Sequence, residues 1–193
     1  LNLRDYKEKL NEADSIQKKD NEINNILFKV MDRGPIDIGF GTRNLIIVVE
    51  ELAELIEVIS IICQNEKYRE NHNNIPSDTM YHLLEEITDV YLAMHYAIRI
   101  FELYDVYNAQ DFTTTIKKEE DVIHTLTSMQ IQATKYLRGK WKLETITQYL
   151  INTNIKMVLK ACNWLLKEYN FSEDLFNKSV NVKLERLGDS VYK

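Results

Sequence analysis

Glycine and proline are nearly missing, with 5 and 2 in a chain of 193 residues. So few breaks leave long uninterrupted segments, which excludes a turn-rich β architecture and favours an all-α fold. Cysteine is equally scarce. Cys63 and Cys162 are too few for a disulfide framework, fit a reducing compartment, and read as small buried hydrophobes. There is no basic run, and the net charge is −6. Without a basic footprint, no nucleic-acid partner is expected. No stretch reads as a signal peptide, and no apolar run is long enough to span a bilayer. The run from Leu45 to Val49 is stopped by Glu50 and Glu51. The expectation is a cytoplasmic protein with no membrane partner.

Several chemistries are also missing. Gly34, Gly39 and Gly41 lie near one another but lack the Gly-Lys-Ser/Thr ending of a phosphate-cradling loop. A ferritin-like di-iron site needs two Glu-x-x-His pairs, and the chain offers only Asp121-x-x-His124. His72, His82, His95 and His124 are scattered, and His95 reads as a satisfied helix residue. Zinc-ligand spacing and a nucleophile elbow are both lacking. Trp141 and Trp164 read as core residues rather than base-stacking platforms.

What the chain does have is apolar residues, 45% of the total, at helical spacing. Residues 1–20 read as a charged helical arm. Asn21 to Asp32 carries Ile23, Ile26, Leu27, Val30 and Met31 and reads as a first core helix, ended by Arg33-Gly34-Pro35. A loop is expected through Thr42. Thr42 or Asn44 then caps a helix over Leu45 to Gln64 that is apolar on almost every face, the pattern of a buried helix. A polar loop follows over Asn65 to Ser77. Ser77 or Asp78 caps a helix reaching about Tyr104, with Leu83, Leu84, Ile87, Val90, Tyr91, Met94, Ile98 and Phe101 on its core face. Beyond a linker over Asp105 to Lys118, helices are expected at Glu119–Arg138, at about Leu143–Tyr169, and from the Ser172 cap to Leu187. Gly139 and Gly188 read as stops. The expected architecture is one bundle of five or six helices.

Acids are placed oddly for so apolar a pattern. Glu51 and Glu54 stand three residues apart in one helix, as do Glu86 and Asp89 in the next. That spacing puts each pair on one helix face, with Cβ atoms roughly 5–6 Å apart. Ionised carboxylates beside buried positions are costly without partners. Two such helices packed face to face bring four carboxylates together, and a cation between them relieves the repulsion. An all-oxygen set suits Mg2+ or Mn2+ rather than zinc. Glu57 reads as a solvated acid, while Glu50 is open between an outer ligand and a solvated acid. The competing expectation is an acidic stripe facing solvent on a non-enzymatic assembly or regulatory module.

Glu50-Glu51-x-x-Glu54-Leu55 followed by Glu85-Glu86-x-x-Asp89-Val90 resembles the paired motif of the all-α nucleoside triphosphate pyrophosphatases. That group includes MazG-like proteins and the dimeric dUTPases. The resemblance covers roughly Ile23 to Tyr104. It implies hydrolysis of a nucleoside triphosphate to the monophosphate and pyrophosphate, with Glu51, Glu54, Glu86 and Asp89 holding one or more Mg2+. Glu51 or Glu54 is implied as acceptor of the attacking water's proton. A homodimer or higher oligomer is also expected. MazG-like proteins place basic and amide residues on a helix after the acidic pair to hold phosphates and base. Lys178, Asn181, Lys183 and Arg186 on the last helix are similar to that set, although a much longer second half precedes them here.

A faint internal repeat is also legible. Thr88-Asp89-Val90 aligns with Thr153-Asn154-Ile155, which sets Glu86 opposite Ile151. The positions opposite Glu51 and Glu54 fall near Leu126 and Met129. Residues 21–104 then form an acid-bearing half, and residues 115–193 a degenerate half that keeps the packing without the ligands. The bland alternative is that any two amphipathic helices align this well. Asp89 itself has two readings: a metal ligand, or an acceptor of hydrogen bonds from a neighbouring helix.

Overall fold

The computed structural model describes residues 38–100, 115–138 and 145–191, and the side chains of 45–98, 115–138 and 150–186. The N-terminal arm, the first core helix, Phe101, Gly139 and Trp141 lie outside the described residues. Six α-helices, one 3-10 turn and no strand occur among those described, so the all-α expectation holds. They are α1 Ile38–Gln64, α2 Glu66–Glu70, the 3-10 turn His72–Asn74, α3 Ser77–Ile100, α4 Glu119–Leu137, α5 Thr145–Glu168 and α6 Glu173–Val191.

The chain divides into two compact units, Asp37–Lys183 and Leu1–Ile36 with Leu184–Lys193. Of the second, only the end of α6 is described, with Leu184 buried and Glu185 and Arg186 exposed. The first unit holds the bundle. In it α1 packs against α3 and α4, and α5 packs against the same two helices. The α1–α3 pair is antiparallel: Glu54 and Ile61 share a cleft with Glu86 and His82. The α4–α5 pair is antiparallel too, since Tyr169 Oη, just past α5, donates to Glu119 Oε1 at the start of α4 (3.1 Å). Exchanging α1 with α4 and α3 with α5 turns each of these helix contacts into another that is present. A two-fold duplication requires that pattern.

Core residues recur at helical spacing on every long helix. In α1 they are Leu45, Val48, Leu52, Leu55, Ile59 and Ile62. Each such side chain, fully buried, stabilises the fold by about 1.5–3 kcal/mol. The expectation that this helix is enclosed needs correction, because Ile46, Ile47 and Ile61 are exposed. Helices α3 and α4 cover only part of its circumference. The enclosed helix is α3: from Glu86 to His95 every residue except Asp89 is buried. It packs on α1 and α5 and meets α6, where the Phe176 ring lies edge-on to Tyr91 with centroids 5.2 Å apart.

Some boundaries differ from those expected. Helix α1 starts at Ile38 and runs through Gly39 and Gly41. Each glycine costs about 1 kcal/mol relative to alanine, a penalty that a long helix anchored at Leu45 and Val48 absorbs. Helix α6 likewise passes through Gly188 to Val191. The expected loop at Asn65 to Ser77 contains α2 and the 3-10 turn. Asn65 Oδ1 caps α2 by accepting from Lys67 N, and Asn71 Oδ1 accepts from Asn73 N in the same way. The cap at Ser172 forms as expected, with its Oγ accepting from Leu175 N.

Asn170 turns the chain from α5 into α6 at φ 55°. Phe171 N donates to Leu166 O and Asn170 N to Lys167 O, which makes a Schellman C-cap. Asparagine tolerates the left-handed region better than most residues.

Candidate metal centre

The α1–α3 hairpin sets the acids against one another. Glu51, Glu54 and Glu86 each offer a carboxylate oxygen, and the three atoms lie within 4.8 Å of one another. They grade from exposed Glu54 through half-buried Glu51 to buried Glu86. The expected convergence of the two acidic helices is present in these three side chains.

Glu86 is the unusual member. It is only 7% exposed, and its Oε2 has no hydrogen-bond partner among the described residues. Its Oε1 lies 3.4 Å from His82 Nδ1, one turn earlier on α3. A buried oxygen without a partner costs about 1–3 kcal/mol, more if charged, so native proteins rarely leave one unexplained. Here it belongs to a carboxylate that converges with two others.

The electrostatics agree with the geometry. Burial pushes the Glu51 carboxyl up to about 7, and the negative charges of Asp89, Glu54 and Glu86 push in the same direction. Burial also raises Glu86 to about 7, with Asp89 and Glu54 adding to it. The cluster stores repulsion that a cation relieves. Three convergent carboxylates form a hard, all-oxygen donor set, a chemistry that suits Mg2+ or Mn2+.

Asp89 is placed differently. Its charge acts on Glu51 and Glu86, but its Oδ2 holds Lys183 Nζ at 2.5 Å. Burial alone would lower the Lys183 pKa; the hydrogen bond and attraction of Asp89, with Glu85 and Glu86 behind it, outweigh that and raise it. Beside this pair, Thr88 Oγ1 and Ser179 Oγ lie 2.9 Å apart. Lys183 thus brings the last helix to the acids across a large sequence separation. Lys178, Asn181 and Arg186, the other implied substrate contacts, are exposed, as are Glu50 and Glu57.

Glu54 and Glu86 open onto a cleft of about 360 Å³, completed by Glu57, Val58, Ile61 and His82. A larger cavity of about 560 Å³, bordered by Cys63, His72 and Glu119 among others, lies away from the acids. Neither His82 nor Ser179 stood out in the sequence. The available signal for His82 was its spacing of four from Glu86, which stacks the two on one helix face.

At the positions facing these acids in the alignment of halves, Leu126, Met129 and Ile151 are buried. Asn154 Nδ2 donates to Leu150 O at 2.8 Å, a neutral bond within its own helix. Cys162 is buried, with its thiol pushed up to about 12 by burial, whereas Cys63 is only half-buried. Among the described residues no helix is long and apolar enough to cross a membrane. No protein-family model, curated protein or solved structure matches the chain.

Proposed function

We propose that the chain hydrolyses a nucleoside or deoxynucleoside triphosphate to its monophosphate and pyrophosphate, using Mg2+ held by Glu51, Glu54 and Glu86. The observation that carries this reading is the convergence of three carboxylates on one of which, Glu86, an oxygen is buried and unpartnered. The paired Glu-x-x-Glu and Glu-x-x-Asp motif adds the resemblance to the all-α pyrophosphatases. When bound, the divalent ion supplies charge neutralisation for the phosphates and activation of a water.

The protein's own groups supply the rest. Glu51, Glu54 and Glu86 fix the position of the cation and hence of the triphosphate. The water oxygen attacks the α-phosphorus, the bond from that phosphorus to the bridging oxygen breaks, and pyrophosphate leaves. Glu51 accepts the proton from the water at a carboxylate oxygen. It is preferred to Glu54 because it is half-buried at the cluster, whereas Glu54 is exposed. The cleft running from Glu54 and Glu86 past Val58, Ile61 and His82 gives the nucleoside a half-apolar bed. An acidic chain repels a triphosphate, and a divalent ion held by Glu51, Glu54 and Glu86 would offset that repulsion.

The test is product analysis. The purified protein is incubated with the common nucleotides and Mg2+, with and without a chelator, and pyrophosphate and monophosphate are measured. Equal amounts of the two, abolished by the chelator, are expected. Absence of both, or release of inorganic phosphate in their place, would remove the reading and leave the non-enzymatic helical module. Assembly as a homodimer or higher oligomer belongs to the same proposal.

A further inference from the structure

Four acids crowd the α1–α3 face, and ligand atoms of three of them converge on one point. These are Glu51, Glu54 and Glu86, and the buried Oε2 of Glu86 has no partner among the described residues. The fourth, Asp89, is close enough to raise the proton affinity of both Glu51 and Glu86. Its Oδ2 carries an ammonium group instead: Lys183 Nζ sits 2.5 Å away, with the two side chains only 21% and 20% exposed. Lys183 also feels Glu85 and Glu86.

This ammonium does for Asp89 what a metal does for the other three carboxylates. It places a positive charge on a half-buried anion, where repulsion from neighbouring acids is least screened. It differs in being permanent and covalently supplied. A lysine charge is compact, carries three donors, and offers no open coordination position. It neutralises without binding water or phosphate oxygens as a Lewis acid.

Resting on the pyrophosphatase reading of the same site, we propose that Lys183 is a built-in cation of the centre. It occupies the position beside Asp89, so the chain takes one divalent ion, on Glu51, Glu54 and Glu86, rather than two. The position is held from α6, so the last helix sets the metal count of a site built on α1 and α3. The Thr88–Ser179 contact, one turn of α6 before Lys183, keeps the two helices in the register that delivers the ammonium. Lys183 is therefore a positioning residue for charge, and the resemblance-implied role of gripping phosphate passes to groups other than this one in the resting site.

Metal counting tests this without relying on activity. Mn2+ is titrated into the full chain, and free Mn2+ is followed by its electron paramagnetic resonance signal. The parent should bind one Mn2+ per chain. Lys183→Met, which keeps the length of the side chain and removes the charge, should bind two. Lys183→Arg should return to one. The double variant Lys183→Met with Asp89→Asn should also bind one, because the second ion needs the freed aspartate. Two ions in the parent would overturn the proposal while leaving the metal centre standing. One ion in both the parent and a folded Lys183→Met would overturn it as well. No bound Mn2+ in the parent would remove the pyrophosphatase reading and this proposal with it, an outcome distinct from either. If Lys183→Met fails to fold, Lys183→Gln, which also removes the charge and keeps Asp89, makes the same comparison: two ions are expected, and one ion would overturn the proposal.

Discussion

At the residue scale, Asp89 is pulled two ways. It anchors Lys183, and it adds to the repulsion on Glu51 and Glu86. Asp89→Asn removes both effects, and pH decides which dominates. Near pH 5.5 the Glu51 and Glu86 carboxyls, with pKa values of about 7, are mostly protonated, so there is little repulsion to relieve. The lost ion pair then sets the outcome, at about 1 kcal/mol for a partly exposed pair, or roughly 2–4 °C in melting temperature for a chain of this size. Near pH 8 both carboxylates are ionised, and relief of repulsion offsets part of that loss. Melts of the metal-free parent and variant at the two pH values should show the larger deficit at the lower one. An equal deficit at both would mean that Asp89 does not share a field with Glu51 and Glu86.

At the element scale, the second hairpin supports the first. Leu126 and Met129 of α4 are fully buried, and α4 packs against α1 and α5. Gln130 Nε2 of α4 donates to Val49 O of α1 at 3.2 Å, half a turn before Glu51. Leu126→Ala should destabilise the fold by about 2–5 kcal/mol, the range for truncating a buried leucine. The Mg2+-induced gain in stability should survive, because the carboxylates sit on α1 and α3. Chemical denaturation with and without Mg2+ checks both points. Loss of the Mg2+ gain at temperatures where the variant remains folded would show that α4 takes part in the centre directly.

Much of the element structure was legible in the sequence because periodicity and caps are local signals. The core face of α3 reads directly off Leu83, Leu84, Ile87, Val90, Tyr91, Met94 and Ile98, and the Ser172 cap reads off a single residue. Partnership between helices is not local. Nothing in the composition of α1 distinguishes the exposed Ile61 from the buried Ile59 and Ile62. Only the positions of α3 and α4 do. The same holds for the site. The spacing of Glu51 with Glu54 and of Glu86 with Asp89 announced the acids, whereas the pairing of Asp89 with Lys183 needed α6 to be brought to α3. Glycine misled at Gly39, Gly41 and Gly188, where long helices carried a local penalty.

For the whole molecule, the acidic centre ties stability to pH. Glu51 and Glu86 have folded pKa values of about 7 against an ordinary 4.5. Between those values the metal-free folded state binds more protons than the unfolded state, so stability falls as pH rises. The contribution is fully present below about pH 4.5 and is lost as pH passes through 7. Divalent-ion binding has the opposite slope, because the ligands must be deprotonated. Metal-free melts from pH 5 to 8 should therefore show the carboxylates lowering stability across that range, and the gain from Mg2+ should grow across it. A Mg2+ effect that is constant with pH would separate the ion from these carboxylates.

The centre itself is tested most directly by thermal melts of the parent and Glu86→Gln at pH 8, with and without Mg2+. A ligand bound only by the folded state at 100 times its dissociation constant stabilises by about 2.7 kcal/mol, and a chain of this size gains roughly 2–4 °C per kcal/mol. The parent should therefore rise by about 5–11 °C. Glu86→Gln removes a buried charge that the neighbouring acids repel, so its metal-free form should melt no lower than the metal-free parent, and Mg2+ should move it little. A parent that Mg2+ does not shift, with a Glu86→Gln variant that melts well below it, would contradict the metal centre and make Glu86 a structural residue.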